Sequence, residues 1–171
     1  MPTMRDENLL EALLEALLDS WDRNNAILVN LLRAVPAGGL EARAVEGSMT
    51  VAQMFLHIHG TRWFVLSEDA PEFAGEPLGK GWRETRDVER IAEMLNDSAR
   101  RVRAALKDRL ETGKAMLVRY DHPILLLQHM VWHEGYHHGQ IKLALKAMGR
   151  PLDDEEIGPV TWHLWFDKTG A

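Results

Sequence analysis

Helical periodicity along most of its length is the feature that most narrows what this chain can become. Four long stretches place apolar residues three and four apart, so each winds an apolar stripe along one face of a helix. The first runs from about residue 6 to 34, with Leu10, Leu13, Leu14, Leu17, Trp21, Leu28, Leu31, Leu32 and Val35 on one stripe, and Pro36-Ala37-Gly38-Gly39 ends it. The second opens at Thr50 with Gln53 three residues on, a capping-box spacing, and continues to about Glu68. Two prolines and three glycines within residues 70–81 mark a connector. The third starts near Thr85 and follows Val88, Ile91, Leu95, Ala99, Val102 and Leu106. The fourth begins at Pro123, suited to a first helical position, and stops at Gly149-Arg150-Pro151. Only residues 115–120 hint at strand-like alternation. The expected fold is all-α, a four-helix bundle formed as one domain over residues 1–171. In its tail, residues 152–171, Trp162, Trp165 and Phe166 are expected to fold back onto the helices.

Charge and cysteine content then remove whole classes of function. The net charge of −6 gives no global field for a polyanion. The basic cluster Arg100, Arg101, Arg103, Lys107 and Arg109 is interleaved with Asp97, Asp108 and Glu111, which reads as a solvated helix face. Nucleic-acid binding is not expected. With no cysteine there is no disulfide, thiolate zinc site or cysteine nucleophile, so any transition metal must be held by carboxylates or by the eight histidines. The longest run free of Lys, Arg, Asp and Glu, residues 47–61, is too short to span a bilayer, and residues 1–6 carry no apolar signal core. A cytoplasmic protein with no membrane partner is expected.

The fourth helix carries the chemistry. With His133 set at zero on a wheel of 100° per residue, His137 falls at about 40°, His129 at about −40°, and Gln140 and His122 at about −20°. Apolar residues flank this arc on both sides, Leu125, Trp132 and Leu143 on one and Leu127, Met130, Ile141 and Leu145 on the other, so the histidines read as the middle of the buried face. Buried imidazoles need partners, and a pair at i and i+4 can direct two nitrogens at one ion. A third can come from the second helix. His57 and His59 lie about 200° apart, so only one faces inward. His57 shares its arc with Gln53, Met54, Thr61 and Phe64 and is the ligand candidate. His59 shares its arc with Ala52 and Arg62 and is expected to be exposed. Asn24, in the middle of the first leucine stripe, either fixes helix register or lines a metal cavity. Two apolar flanks on one helix also exceed what a single seam needs, which suggests a two-fold homodimer.

His133-Glu134-Gly135-Tyr136-His137 also satisfies the His-Glu-x-x-His pattern of zinc peptidases, in which the glutamate is the general base. The extended patterns fail: Gln140 stands where one form needs glycine, and Glu155 and Glu156 lie past the helix stop. No sheet is expected to hold a peptide.

With these residues in hand, the chain resembles the DinB/YfiT-like family of metalloenzymes over nearly its whole length. Thr50-Val51-Ala52-Gln53 followed by Met54-Phe55-Leu56-His57-Ile58 looks like the family's helix-two signature. His133-Glu134-Gly135-Tyr136-His137-His138-Gly139-Gln140 looks like its helix-four signature, with His138 where the family usually has arginine. The resemblance implies a bundle of unusual handedness, often a homodimer, and a divalent ion (zinc, nickel, iron or manganese) held by His57, His133 and His137. Some relatives use a low-molecular-weight thiol, as in thiol-dependent isomerases and S-transferases. Three neutral histidines leave an ion open positions, the pattern of a catalytic site. The leading expectation is therefore an enzyme that activates an exogenous thiol towards a small-molecule substrate. The alternatives are a metal-dependent hydrolase with Glu134 as base, or a non-catalytic metal-binding stress-response protein. His129 and Gln140, with Asn24, are expected to support the ligands or line the cavity.

Overall fold

The computed structural model describes residues 4–166, and the described residues are helical with no strand. Helix α1 spans Met4–Arg33, α2 Val51–Asp69, α4 Val88–Thr112 and α5 Pro123–Ala147, with single turns α3 at Pro71–Ala74 and α6 at Asp154–Ile157. The four long helices therefore lie where periodicity puts them, and their ends have local causes. Thr50 accepts from the Gln53 N–H at 3.1 Å while the Gln53 side chain accepts from the Thr50 N–H at 2.9 Å, closing the expected capping box. Helix α4 starts at Val88 and not near Thr85 because Asp87 is its cap, accepting from the Arg90 N–H at 3.0 Å. Helix α5 is capped by His122, whose Nδ1 accepts from the Ile124 N–H at 3.2 Å, ahead of Pro123. None of these helices is long and apolar enough to cross a membrane.

Two apolar clusters form the core. One gathers Leu28, Leu31, Phe55, Ile58, Leu95, Ile141 and their neighbours; the other gathers Leu18, Trp21, Val65, Val102, Leu126 and Met130. Between them on each long helix sits a buried polar side chain. Asn24 and Asn25 fall between Trp21 and Leu28, Arg62 between Ile58 and Val65, Ser98 between Leu95 and Ala99, and Glu134 between Met130 and Ile141. Arg62 is fully buried and grips Glu134 with two bonds, Nε to Oε1 at 2.6 Å and Nη2 to Oε2 at 2.7 Å. It also donates to the Asn25 side chain at 2.9 Å and to the Leu95 carbonyl at 2.8 Å. One arginine thus joins α1, α2, α4 and α5 at mid-height.

Several expectations change here. Leu10 and Leu13 are exposed, since neither core cluster reaches the first turns of α1. Arg109, expected on a solvated face, is buried and pairs with Glu72 at 2.8 Å and Asp108 at 2.5 Å. Residues 115–120 form no strand; Asp69 Oδ1 instead accepts from the N–H groups of Val118, Arg119 and Tyr120 at 2.9, 2.8 and 3.4 Å. The tail touches α1 through its backbone, where the Asn30 side chain donates to the Val160 carbonyl at 2.6 Å and Arg23 donates to the Leu164 carbonyl. Trp162, Trp165 and Phe166, expected to fold back onto the helices, are exposed. Residues 167–171 of the expected tail, and residues 1–3, lie outside the described residues.

Candidate metal centre

The wheel places the histidines on α5 correctly relative to one another, but not relative to the core. The buried residues of α5 are Pro123, Leu126, Leu127, Met130, Glu134, His137, Ile141, Ala144 and Leu145. They occupy about 20° to 120° on the same wheel, so His133 at zero lies on the rim and not at the centre. The flank holding Leu125, Trp132 and Leu143 is exposed, Trp132 at 70%. The misplacement has one cause: a fully buried glutamate occupies an arc that its charge marks as surface.

His133, on the rim, and His137, just inside the buried arc, meet His57 across from α2. His57 Nε2 and His137 Nε2 each lie 3.2 Å from His133 Nε2, and the three candidate ligand atoms all fall within 4.8 Å of one another. Three nitrogens around one ion at about 2.0–2.1 Å, with near-tetrahedral angles, stand about 3.3 Å apart. Two of the three distances match that spacing, and the donor set is compatible with a single divalent ion.

The protonation states agree with that fit. Burial, followed by the neighbouring His137, His57 and His129, pulls His133 down to about 4. His137 is lowered by burial and by His57, and His57 by burial and by Arg83. Neutral imidazoles are the form that ligates. Gln140 fixes the orientation of one of them: its Oε1 lies 2.7 Å from His137 Nδ1, so Nδ1 donates and the Nε2 lone pair turns to the cluster. The Gln140 amide donates in turn to the Tyr136 hydroxyl at 2.8 Å. Gln140 thus touches one of the three clustered histidines through its side chain. His133 Nδ1 is buried and has no partner among the described residues.

The remaining candidates fall elsewhere. His129 is exposed, its Nδ1 2.8 Å from the Tyr120 hydroxyl and its ring 6.3 Å from that of His133. Asn24 does not line the histidine cluster; it sits in the buried polar layer and donates to Glu134 Oε2 at 2.5 Å. Glu134 itself is 1% exposed, and both of its oxygens are engaged, Oε1 by Arg62 and Oε2 by Arg62 and Asn24. A carboxylate buried and held by three hydrogen bonds from Arg62 and Asn24 is engaged by the core, so the structure gives no support to Glu134 as general base. His59, expected to be exposed, is buried. Its Nδ1 lies 2.9 Å from the Met94 carbonyl, and its ring meets Trp82 edge-on at 5.6 Å. The α2 arc of Ala52, His59 and Arg62 is the buried one, while Gln53, His57, Thr61 and Phe64 form the wall of a cavity. Sequence reasoning missed Arg62 as the partner of Glu134; a charge on an otherwise apolar arc of each helix was the available signal.

Among known families, the model described as the DinB family matches residues 4–153 of the chain. Comparison with curated proteins and with solved structures returned no match.

Proposed function

The chain belongs to the DinB family, and from that premise we propose that it is a divalent-metal-dependent enzyme that activates a low-molecular-weight thiol for transfer to, or isomerisation of, a small molecule. The observation that carries this reading is the convergence of His57, His133 and His137, two of whose nitrogen–nitrogen distances match the spacing around one ion while all three atoms lie within 4.8 Å. A divalent ion held there, with zinc, nickel, iron and manganese as candidates, would supply Lewis acidity that brings the pKa of a thiol or of water towards neutrality. The protein's own part is orientation. Gln140 holds His137 in the ligating tautomer, and Arg62 with Asn24 holds Glu134, hence the α5 backbone beside His133, against α1 and α2.

Thiol chemistry is favoured over hydrolysis because the carboxylate that a hydrolase would use is committed to Arg62, whereas a thiol ionised by a cation needs no separate base. On this reading the long helices form a DinB-type four-helix bundle in one domain, acting in the cytoplasm. The exposed stripe of Leu125, Trp132, Tyr136 and Leu143 on α5 favours a homodimer. The test is a screen of electrophilic small molecules on metal-loaded protein with and without added thiols. Thiol-dependent turnover that disappears in His133→Ala supports the proposal. Thiol-independent hydrolysis, or no turnover with any substrate, contradicts it.

A further inference from the structure

The cavity beside His57 has a chemical bias of its own. It encloses about 810 Å³, within the range of small-molecule sites. Trp63, Phe64 and Trp82 give it aromatic walls, Arg43 and Arg83 are its charged residues, and among the described residues no aspartate or glutamate lines it. In a chain with 26 acidic and 20 basic residues, a cavity holding two guanidinium groups and no carboxylate runs against the average surface.

The two arginines also differ from most others in the chain. Arg33 pairs with Glu89, Arg86 with Glu41, Arg90 with Glu93 and Arg103 with Asp22. Arg43 and Arg83 have no carboxylate partner among the described residues. Arg43 donates to the Ser48 carbonyl, and Arg83 stacks on the Trp82 ring at 4.9 Å. That platform is firmly seated. A Cβ on Gly60 would meet Trp82 Cη2 at 2.5 Å, so the indole lies close on the α2 backbone three residues from His57, and a larger residue there would have to displace it. Guanidinium groups without a carboxylate partner keep donors to spare, in a fork matched in shape to a carboxylate.

We propose that this cavity binds a small organic carboxylate with a planar apolar body, the body against the aromatic walls and the carboxylate on Arg83 and Arg43. That such a molecule is the substrate rests on the metal-centre reading; that it binds does not. Calorimetry on the full-length protein tests it with naphthalene-2-carboxylate and its neutral carboxamide. Wild type, Arg43→Gln, Arg83→Gln and the double variant are compared, each before and after a chelator, with metal content measured throughout. Wild type is expected to prefer the carboxylate at least tenfold, each single variant to narrow that ratio several-fold, and the double variant to abolish it, with metal content unchanged. Equal affinity for the two probes in wild type, or no binding of either at millimolar concentration, overturns the proposal. So does a preference that survives in the double variant; if that preference disappears with the chelator, the anion sits on the ion, and the metal centre stands without this inference. A preference that follows the arginines in wild-type protein that takes up no ion upholds the cavity and removes the metal reading.

Discussion

His133 and Glu134 are neighbours in sequence, yet their side chains belong to opposite kinds of site. On the His133 side, imidazoles from α2 and α5 bring lone pairs together at the rim of a cavity, with one buried nitrogen, His133 Nδ1, left without a partner among the described residues. On the Glu134 side every charge is answered, since the carboxylate takes three bonds from Arg62 and Asn24 at the centre of the protein. A site that lacks something points to a ligand, and a site that is complete points to architecture. The His-Glu-x-x-His pattern reads as one motif in sequence. In three dimensions it splits into a candidate metal pair and a structural anchor about 100° apart on the helix.

The sharpest way to break this contrast is to remove one member of the buried pair. Arg62→Met leaves Glu134 charged and unpaired in the core, and should lower unfolding free energy by about 3–5 kcal/mol. Adding Glu134→Leu should return part of that loss, because two apolar side chains carry no stranded charge, although the Asn24 amide loses its acceptor and Asn25 keeps only its bond to Asn96. Denaturant midpoints of the two variants decide the matter; a Glu134 that were chiefly catalytic would leave the midpoint of Arg62→Met close to wild type.

A smaller effect is expected on the rim. Gln140→Leu removes the acceptor that sets the His137 tautomer and should weaken metal affinity about 10- to 100-fold without unfolding the protein. Competition against a chromophoric chelator measures it. An unchanged affinity would mean that the Gln140 contact orients nothing.

The third expectation concerns acid. His133 titrates near 4 in the folded protein against an ordinary 6.5, with His57 and His137 shifted in the same direction. The unfolded chain therefore binds protons that the metal-free folded chain refuses, and stability should fall as pH drops from about 6.5 towards 4 and be level above that window. His133→Asn should flatten part of the slope. A metal-free protein whose stability is constant from pH 7 to 4 would show that the cluster is not desolvated.

How much of this was legible beforehand follows from what hydrophobic periodicity can report. The four long helices, the Thr50 cap and the pairing of His133 with His137 were readable because they depend on spacing within one segment. The inward face of α2 and the centre of the α5 stripe were not, because each hides a charge in the core. A wheel treats Arg62 and Glu134 as surface and turns both helices away from their true orientation. His57 was found through its shared arc with Thr61 and Phe64, yet that arc lines a cavity and the His59 arc is buried. The cavity itself was not readable, since Arg43, Trp82 and Arg83 come from connecting segments whose placement depends on tertiary packing.

The central claim, that the histidines hold an ion and the glutamate holds the fold, rests most directly on metal content. Elemental analysis of desalted, metal-loaded protein should find about one divalent ion per chain in wild type and in folded Glu134→Gln. His57→Ala, His133→Ala and His137→Ala should each fall well below that while keeping their helical content. Full occupancy in His57→Ala, or loss of the ion in a Glu134→Gln protein that remains folded, would contradict the account.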